Sequence, residues 1–340
     1  MTFHGASWYF PVDKIRRRLI AGLLFGFVVF LGLILVGDIR QIGTQLATFH
    51  WWLFPLIIAG TIFNYILRFF KWHYYLRLIG IREIRWKESL RLFVAGFPLA
   101  VTPGKVGEAL KGVWLNLVSE TPIARGVTVV LAERISDGLA VLILSTLGVI
   151  AYPQYWPAFA MVLGGLLLLI LVSQIRPLAL ALIRSIEKIR IFRRFVHPLH
   201  EFYEGTYALF QPKATIIAVS LGTLAWLGEG FAMYLVLVGL GIPVGWNTFS
   251  MAVFILSFST VIGAISALPG GLGAAEASIA GMLTLLMNLP KDIATSATLL
   301  IRFATLWFGV GIGLGVWLIS RQLLLFETRS QPKVLDPEVE

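Results

Sequence analysis

Two stretches of the chain, TPGKVGE at Thr102–Glu108 and LPGGLGAAE at Leu268–Glu276, share one pattern, Pro-Gly-x-x-Gly followed by a glutamate. We call them the first break and the second break. Proline removes a backbone donor and glycine adopts dihedral angles that other residues avoid, so both stretches interrupt a helix. In a membrane, backbone freed in this way must face protein or a water-filled cavity. The two breaks therefore predict a polar interior, although ordinary loops at helix ends would also fit them.

Polar residues around the two breaks recur in the same order. The second break follows the first by 166 residues. Asn64 lies 39 residues before the first proline, and Glu229 lies 40 before the second. Arg134 and Arg302 follow their prolines by 31 and 33 residues. This spacing indicates an internal repeat.

The two units predict repeats of opposite orientation in the membrane. Repeat one covers about residues 52–150 and repeat two about 214–320, each with a span, a broken re-entrant helical hairpin and another span. A connecting span at 157–175 inverts the second repeat relative to the first. Inverted-topology repeats with broken helices are typical of secondary transporters, whose binding sites lie near the middle of the bilayer.

Composition places the whole chain in a membrane. Its 340 residues are 58% hydrophobic and only 14% charged, with a mean hydropathy of +0.84, whereas a soluble domain carries more charge. Runs of about 20 apolar residues match a hydrocarbon core of about 30 Å. We therefore predict an all-α polytopic membrane protein. Its apolar runs are Leu19–Gly37, Trp52–Phe70, Gly126–Ile150, Pro157–Ile175, Ala214–Leu240, Phe249–Leu268, Ala274–Leu286 and Ile293–Ser320.

The positions of Lys and Arg predict the orientation of these spans. The loop from Lys71 to Arg91 carries six basic residues, and the loop at residues 176–213 carries seven. The facing loops hold only Arg40 and Lys291. The positive-inside rule then puts the two basic loops in the cytoplasm.

Both termini should lie on the same side as the basic loops. We expect a cytoplasmic basic N-terminus at residues 1–18 and a cytoplasmic polar tail at residues 321–340. The stretch from Ser89 to Val118 must enter and leave on the cytoplasmic face, as a re-entrant hairpin does. We expect a multi-pass protein in the inner or plasma membrane of a prokaryote.

Ten charged residues fall at membrane depth. Burying each costs at least about 2.5–3.5 kcal/mol on insertion scales, so each needs a partner, water or a ligand. The numbers of basic and acidic residues are equal, which fits a structural network of internal ion pairs as well as a ligand site. The basic residues are Arg68, Lys105, Lys111, Arg134 and Arg302, and the acidic residues are Glu108, Glu133, Asp137, Glu229 and Glu276.

The residues after the first break suit an anionic lipid headgroup. Lys105, Glu108 and Lys111 follow one another at steps of three, on the opening turns of a half-helix whose N–H groups attract anions. At the second break only backbone donors are offered, and Glu276 is a candidate proton or cation site. The predicted headgroup site comprises Asn64, Arg68, Pro103, Gly104, Lys105, Gly107, Glu108, Lys111, Glu133, Arg134, Asp137, Glu229, Pro269, Gly270, Gly271, Gly273, Glu276 and Arg302.

The sequence argues against a metal site, a cofactor and nucleic acid. It has no cysteine and only five scattered histidines. The net charge of +10 lies mainly in loops on one side, where topology and anionic lipids of the inner leaflet explain it. We expect no metal and no cofactor. Membrane lipid is the expected partner, and the oligomeric state is left open.

The ordered set of motifs resembles the lysylphosphatidylglycerol synthase transmembrane family, also described as flippase-like, over Leu19–Ser320. The resemblance implies movement of an aminoacylated phospholipid or a lipid-linked glycan between leaflets. In the synthases a large cytoplasmic domain follows and transfers the amino acid; residues 321–340 are too few for it, so we expect no enzyme activity. The motifs are Asn64-x-x-x-Arg68, TPGKxGE at 102–108, Glu133-Arg134-x-x-Asp137 and LPGGxG at 268–273.

Two other functions stay open beside a lipid flippase or transporter. One is a non-transporting scaffold that holds a lipid-modifying enzyme or glycosyltransferase through the basic loop at 176–213. The other is a membrane-embedded enzyme acting on lipid phosphates, with Glu108 or Glu133 as general acid or base. No His or Ser constellation of recognisable spacing supports the enzyme.

Overall fold

A computed structural model of the protein describes residues 12–36, 38–102, 107–149, 156–177 and 196–320. All regular secondary structure in these ranges is helical, which confirms the prediction of an all-α protein. The α-helices are α1 (Val12–Val36), α2 (Ile39–Thr48), α3 (Phe54–Leu78), α4 (Trp86–Ala95), α5 (Leu110–Ser119), α6 (Ile123–Val149), α7 (Trp156–Gln174), α8 (Val196–Leu209), α9 (Pro212–Gly239), α10 (Trp246–Ile265), α11 (Ala274–Met287), α12 (Lys291–Arg302) and α13 (Phe308–Ile319).

Short irregular helices join several of these elements. A 3₁₀ turn at Trp51–Leu53 leads into α3, and a second at Phe97–Val101 continues α4 up to the first break. A third, Pro269–Gly271, forms part of the second break. A π-turn at Phe303–Trp307 joins α12 to α13 without ending the helix.

Six helical segments of the described chain are long and apolar enough to cross a membrane, by length and composition. This confirms a multi-pass protein. The 27-residue helix α6 adds a further long segment, which carries Glu133, Arg134 and Asp137 near its middle. The six segments are Arg17–Leu35, Trp51–Leu78, Pro212–Gly239, Trp246–Ile265, Pro269–Met287 and Lys291–Ile319.

Helix α3 extends beyond the apolar run that the sequence predicts. The predicted span ends at Phe70, but the helix continues to Leu78 and buries Lys71 completely. The assignment of Lys71 to a cytoplasmic loop is therefore wrong. The physical reason is that Lys71 meets an acidic partner on α6, Asp137, so the helix buries this charge without leaving it uncompensated.

Helices α3 and α9 cross at two glycines. A Cβ added at Gly60 would lie 2.8 Å from the carbonyl oxygen of Gly228 and 3.2 Å from Cβ of Ala232. Small residues of this kind let membrane helices approach closely and gain packing contacts. Helix α6 packs against α9 and also against α5, α8 and α10. Helices α3, α6 and α9 thereby form the centre of the structure.

The residue just before the first break lies against the second break inside the protein. Val101, just before the first break, shares a small apolar cluster with Leu272 of the second, together with Leu19 and Val310. The backbone N–H of Gly107 donates to Oγ1 of Thr102 at 3.0 Å, which ties the two described ends of the first break together. The ends of two helical hairpins, α4–α5 and α10–α11, therefore lie side by side.

Gly271→Ala is expected to destabilise the second break. Gly271 has φ of +69°, and a Cβ there would lie 3.0 Å from Cα of Gly263 and 3.2 Å from its carbonyl oxygen. The left-handed conformation alone costs a residue with a side chain about 1–2 kcal/mol. We therefore expect a lower midpoint of thermal unfolding in detergent.

Gly311→Ala is the matched control for that substitution. Gly311 lies in helix α13, and nothing approaches the position of its Cβ within 4 Å. Alanine there should leave the stability unchanged or raise it by up to about 1 kcal/mol. Equal midpoints for the two variants would contradict the conformation described for the second break.

Candidate functional site

A cavity of about 500 Å³ lies between the two breaks and the central helices. Its volume falls in the range of about 300–1,000 Å³ that ligand sites occupy. The cavity draws its wall from both predicted repeats. Nine residues of the predicted headgroup site lie on this wall: Arg68, Glu108, Lys111, Arg134, Asp137, Glu229, Gly270, Gly271 and Arg302.

Asp137 on α6 is the centre of the largest charge cluster on the wall. Its Oδ1 lies 2.5 Å from Nζ of Lys71, and its Oδ2 lies 3.4 Å from Nη2 of Arg68. Nη2 of Arg134 approaches Oδ2 to 4.0 Å. Lys71 also donates to Oγ of Ser136 at 3.1 Å. One buried carboxylate thus faces three basic side chains, which leaves this cluster short of negative charge.

Two further ion pairs attach the first hairpin to α6. Nε of Arg134 lies 3.3 Å from Oε2 of Glu108, and Nζ of Lys111 lies 3.2 Å from Oε2 of Glu133. The Lys111 ammonium also lies 5.0 Å from the ring centre of Trp72, within the range of a cation–π interaction. These contacts fix the half-helix after the first break against the wall of the cavity.

Arg302 ties α12 to the second break. Its Nε lies 2.5 Å from Oε1 of Glu276, and its Nη2 donates to the carbonyl oxygen of Gly270 at 3.3 Å. Oε2 of Glu276 accepts from the backbone N–H of Gly273 at 2.7 Å. Glu276 is fully buried and both of its oxygens are engaged, so it does not suit the proton or cation site that we expected there.

The π-turn that follows Arg302 also borders the cavity. Tyr65 on α3 donates its hydroxyl to the carbonyl oxygen of Thr305 at 2.6 Å, and both residues lie on the wall. A π-turn carries an extra residue, and such turns occur frequently at functional sites. This contact joins α3 to the helix that carries Arg302.

Glu229 on α9 differs from the other buried acids. It lies on the cavity wall and is 6% exposed. It makes no hydrogen bond and no ion pair within 4.0 Å to any residue in the described part of the chain. Glu108, Glu133, Asp137 and Glu276 each have a basic partner.

Several predicted site residues lie elsewhere. Asn64 is fully buried in α3 away from the cavity wall, and its amide atoms have no hydrogen-bond partner among the described residues. The cavity wall does not include Glu133, Gly107, Pro269, Gly273 or Glu276. Pro103, Gly104 and Lys105 fall outside the described residues.

Three residues that sequence reasoning missed belong to this region. Lys71 pairs with Asp137, and Tyr65 and Trp226 lie on the wall. A helical spacing was the available signal: Lys71 lies three residues after Arg68, and Trp226 lies three before Glu229. Neither pattern stands out in a span rich in aromatic residues.

Comparison with known proteins relates the chain to membrane proteins. The family profile described as Lysylphosphatidylglycerol synthase TM region matches residues 20–313. A UPF0104 membrane protein of Methanothermobacter thermautotrophicus is 32% identical over 111 residues, 33% of this chain and 31% of the relative. A UPF0104 membrane protein of Pyrococcus horikoshii is 24% identical over 282 residues, 75% of this chain and 83% of the relative. The first of these alignments thus spans less than a third of the relative.

Proposed function

The chain belongs to the lysylphosphatidylglycerol synthase transmembrane family, and from that premise we propose that it moves a lipid headgroup between leaflets through the cavity. The observation that carries the proposal is the charged wall: Arg68, Lys111, Arg134 and Arg302 line a cavity in a protein made of membrane spans. Charges at membrane depth are functional by default because burial is expensive. An anionic, aminoacylated or glycan-linked headgroup would bind there while its acyl chains stay in lipid.

The packing supports an inverted-repeat arrangement for this transporter. Helices α3 and α9, the first spans of the two predicted repeats, pack against each other at their glycines. The first hairpin packs on α13 at the end of repeat two, and α10 of the second hairpin packs on α6 at the end of repeat one. Reciprocal contacts of this kind are expected when two similar halves are related by a two-fold axis in the membrane plane.

The proposal includes the orientation of the protein in the membrane and the absence of catalysis. The basic loops favour cytoplasmic termini and a re-entrant first hairpin in a prokaryotic plasma membrane. We propose transport without catalysis, because no histidine lies on the described wall and Glu108 and Asp137 are held by basic side chains. Membrane lipid is the proposed partner.

Reconstitution into liposomes tests the function. We expect the protein to accelerate the loss of fluorescent phosphatidylglycerol from one leaflet, relative to protein-free liposomes, with fluorescent phosphatidylcholine as the neutral comparison. Arg68→Gln should slow the movement about tenfold or more, since hydrogen bonds to charged groups contribute about 1.5–3 kcal/mol. Arg85→Gln, at an exposed site outside the cavity, should leave the rate of lipid movement unchanged.

Equal leaflet exchange with and without protein would contradict the proposal. Co-purification of a lipid-modifying enzyme or glycosyltransferase together with absent lipid movement would favour the scaffold. Turnover of lipid phosphate by the purified protein would favour the enzyme. Aminoacylated phosphatidylglycerol in the same assay distinguishes an amino-acid-bearing headgroup from a simple anionic one.

A further inference from the structure

We infer that Glu229 is the proton-binding group of the cavity and that an anionic headgroup and one proton occupy the cavity together. The inference rests on the proposed function and names the ion that accompanies the lipid. It assigns to Glu229 the role that the sequence suggested for Glu276.

The carboxyl group of Glu229 is buried at membrane depth. Glu229 lies in the middle of α9, one of the segments able to span a membrane, and it faces the cavity. Among the described residues it makes no hydrogen bond or ion pair, whereas the other four buried acids are held by basic side chains. A buried carboxylate without a partner is unfavourable, so it takes up a proton or a ligand cation.

Charged residues from other helices share the cavity wall with Glu229. Arg68 and Tyr65 face the cavity from α3, and Arg302 faces it from α12. Asp137 and Arg134 line it from α6. Helix α10 contributes no charged residue to this wall. Neither Arg68 nor Arg302 makes an ion pair with Glu229. All three residues line the same cavity, so a headgroup bound there can contact them together.

The buried charges of the described spans balance only while Glu229 is ionised. In the described spans five basic residues, Arg68, Lys71, Lys111, Arg134 and Arg302, accompany five buried acids. With Glu229 ionised these charges cancel. When Glu229 takes a proton from water it becomes neutral, and one positive charge is left in excess. The protonated carboxyl group also offers an O–H donor to a phosphate oxygen. An anionic headgroup therefore binds the protonated cavity better.

Thermodynamic linkage makes this coupling measurable. If protonation strengthens headgroup binding, headgroup binding must strengthen proton binding by the same factor. Couplings between two sites typically amount to about 5- to 150-fold. Release of the proton on the other side of the membrane would weaken the headgroup contacts and favour its departure, so a proton gradient would drive the lipid.

Binding of a short-chain phosphatidylglycerol to the purified protein tests the inference. Its phosphodiester stays ionised between about pH 5 and pH 9, a range that covers documented titrations of buried carboxyl groups. We expect the wild-type protein to bind it at least about fivefold more tightly at the acidic end. Glu229→Gln, a neutral mimic of the protonated acid, should bind tightly at both ends. Glu88→Gln, outside the cavity, should behave as wild type.

A second measurement needs no variant. In weakly buffered solution toward the alkaline end of this pH range, with a pH dye as reporter, the wild-type protein should take up protons when phosphatidylglycerol binds. Binding without proton uptake would overturn the inference and leave the proposed function standing. In the affinity measurement, the same would follow from equal affinity at both pH values or from a pH dependence that persists in Glu229→Gln. Absence of phosphatidylglycerol binding at every pH would overturn both.

Discussion

Asp137→Asn is expected to lower the free energy of unfolding by about 3–5 kcal/mol, the cost of removing one partner from a buried ion pair. The substitution leaves Lys71, which is fully buried, without its carboxylate at 2.5 Å. It also removes the partner of Arg68 at 3.4 Å. Unfolding in a mild detergent, titrated with a denaturing detergent and followed by circular dichroism, measures the loss.

A double-mutant cycle separates the ion pair from other effects of the asparagine. Lys71→Met should also destabilise, and Lys71→Met with Asp137→Asn should cost less than the two single losses added together, because contacting residues are coupled. The exposed pair Arg85–Glu88, at 3.9 Å, provides the control. Glu88→Gln there should change stability by no more than about 0.5 kcal/mol. Simple additivity in the cycle would show that Lys71 does not depend on Asp137.

Arg302→Gln is expected to slow lipid movement about ten- to a hundredfold. The guanidinium lies on the cavity wall beside the second break, and hydrogen bonds to charged groups contribute about 1.5–3 kcal/mol, or about one to two powers of ten. The same substitution also leaves the fully buried Glu276 without its basic partner, so stability should fall as well. Leaflet exchange in liposomes and thermal unfolding measure the two effects separately.

The double variant Arg302→Gln with Glu276→Gln distinguishes a headgroup contact from a structural role. Both buried charges are then removed together, so much of the stability should return. The glutamine at 276 can still accept from the N–H of Gly273. We expect lipid movement to stay slow, because the cation on the wall is still absent. Recovery of both stability and transport would assign Arg302 a purely structural role.

Much of the fold could be predicted because the thickness of the bilayer fixes the length and composition of a membrane span. A hydrocarbon core of about 30 Å demands runs of about 20 apolar residues, and the described helices follow those runs. The second Pro-Gly pair also marked the right place, since one helix ends at Ile265 before Pro269 and the next begins at Ala274. Buried charges in spans are rare, which is why Arg68, Asp137 and Arg302 could be selected from the sequence.

The other features of the fold and of the site depended on how the helices pack against one another, which a single sequence does not show. The end of α3 is set by a partner on α6, so hydropathy placed Lys71 in a loop although it belongs to the charge cluster. Asn64 and Glu229 occupy matching places in the two predicted repeats, yet only Glu229 reaches the cavity. Which acids are already engaged by basic residues, as Glu276 is, became clear only from distances.

The proposed function requires that a lipid headgroup occupies the cavity between the two breaks. A cryo-electron microscopy structure of the protein in phosphatidylglycerol nanodiscs tests this requirement. We predict density for a headgroup within hydrogen-bonding distance of Arg68 and Arg302, continuous with acyl chains that reach the surrounding lipid. A cavity that holds only water while all headgroups stay at the membrane surface, in the wild-type protein and at both acidic and alkaline pH, would contradict the proposed function.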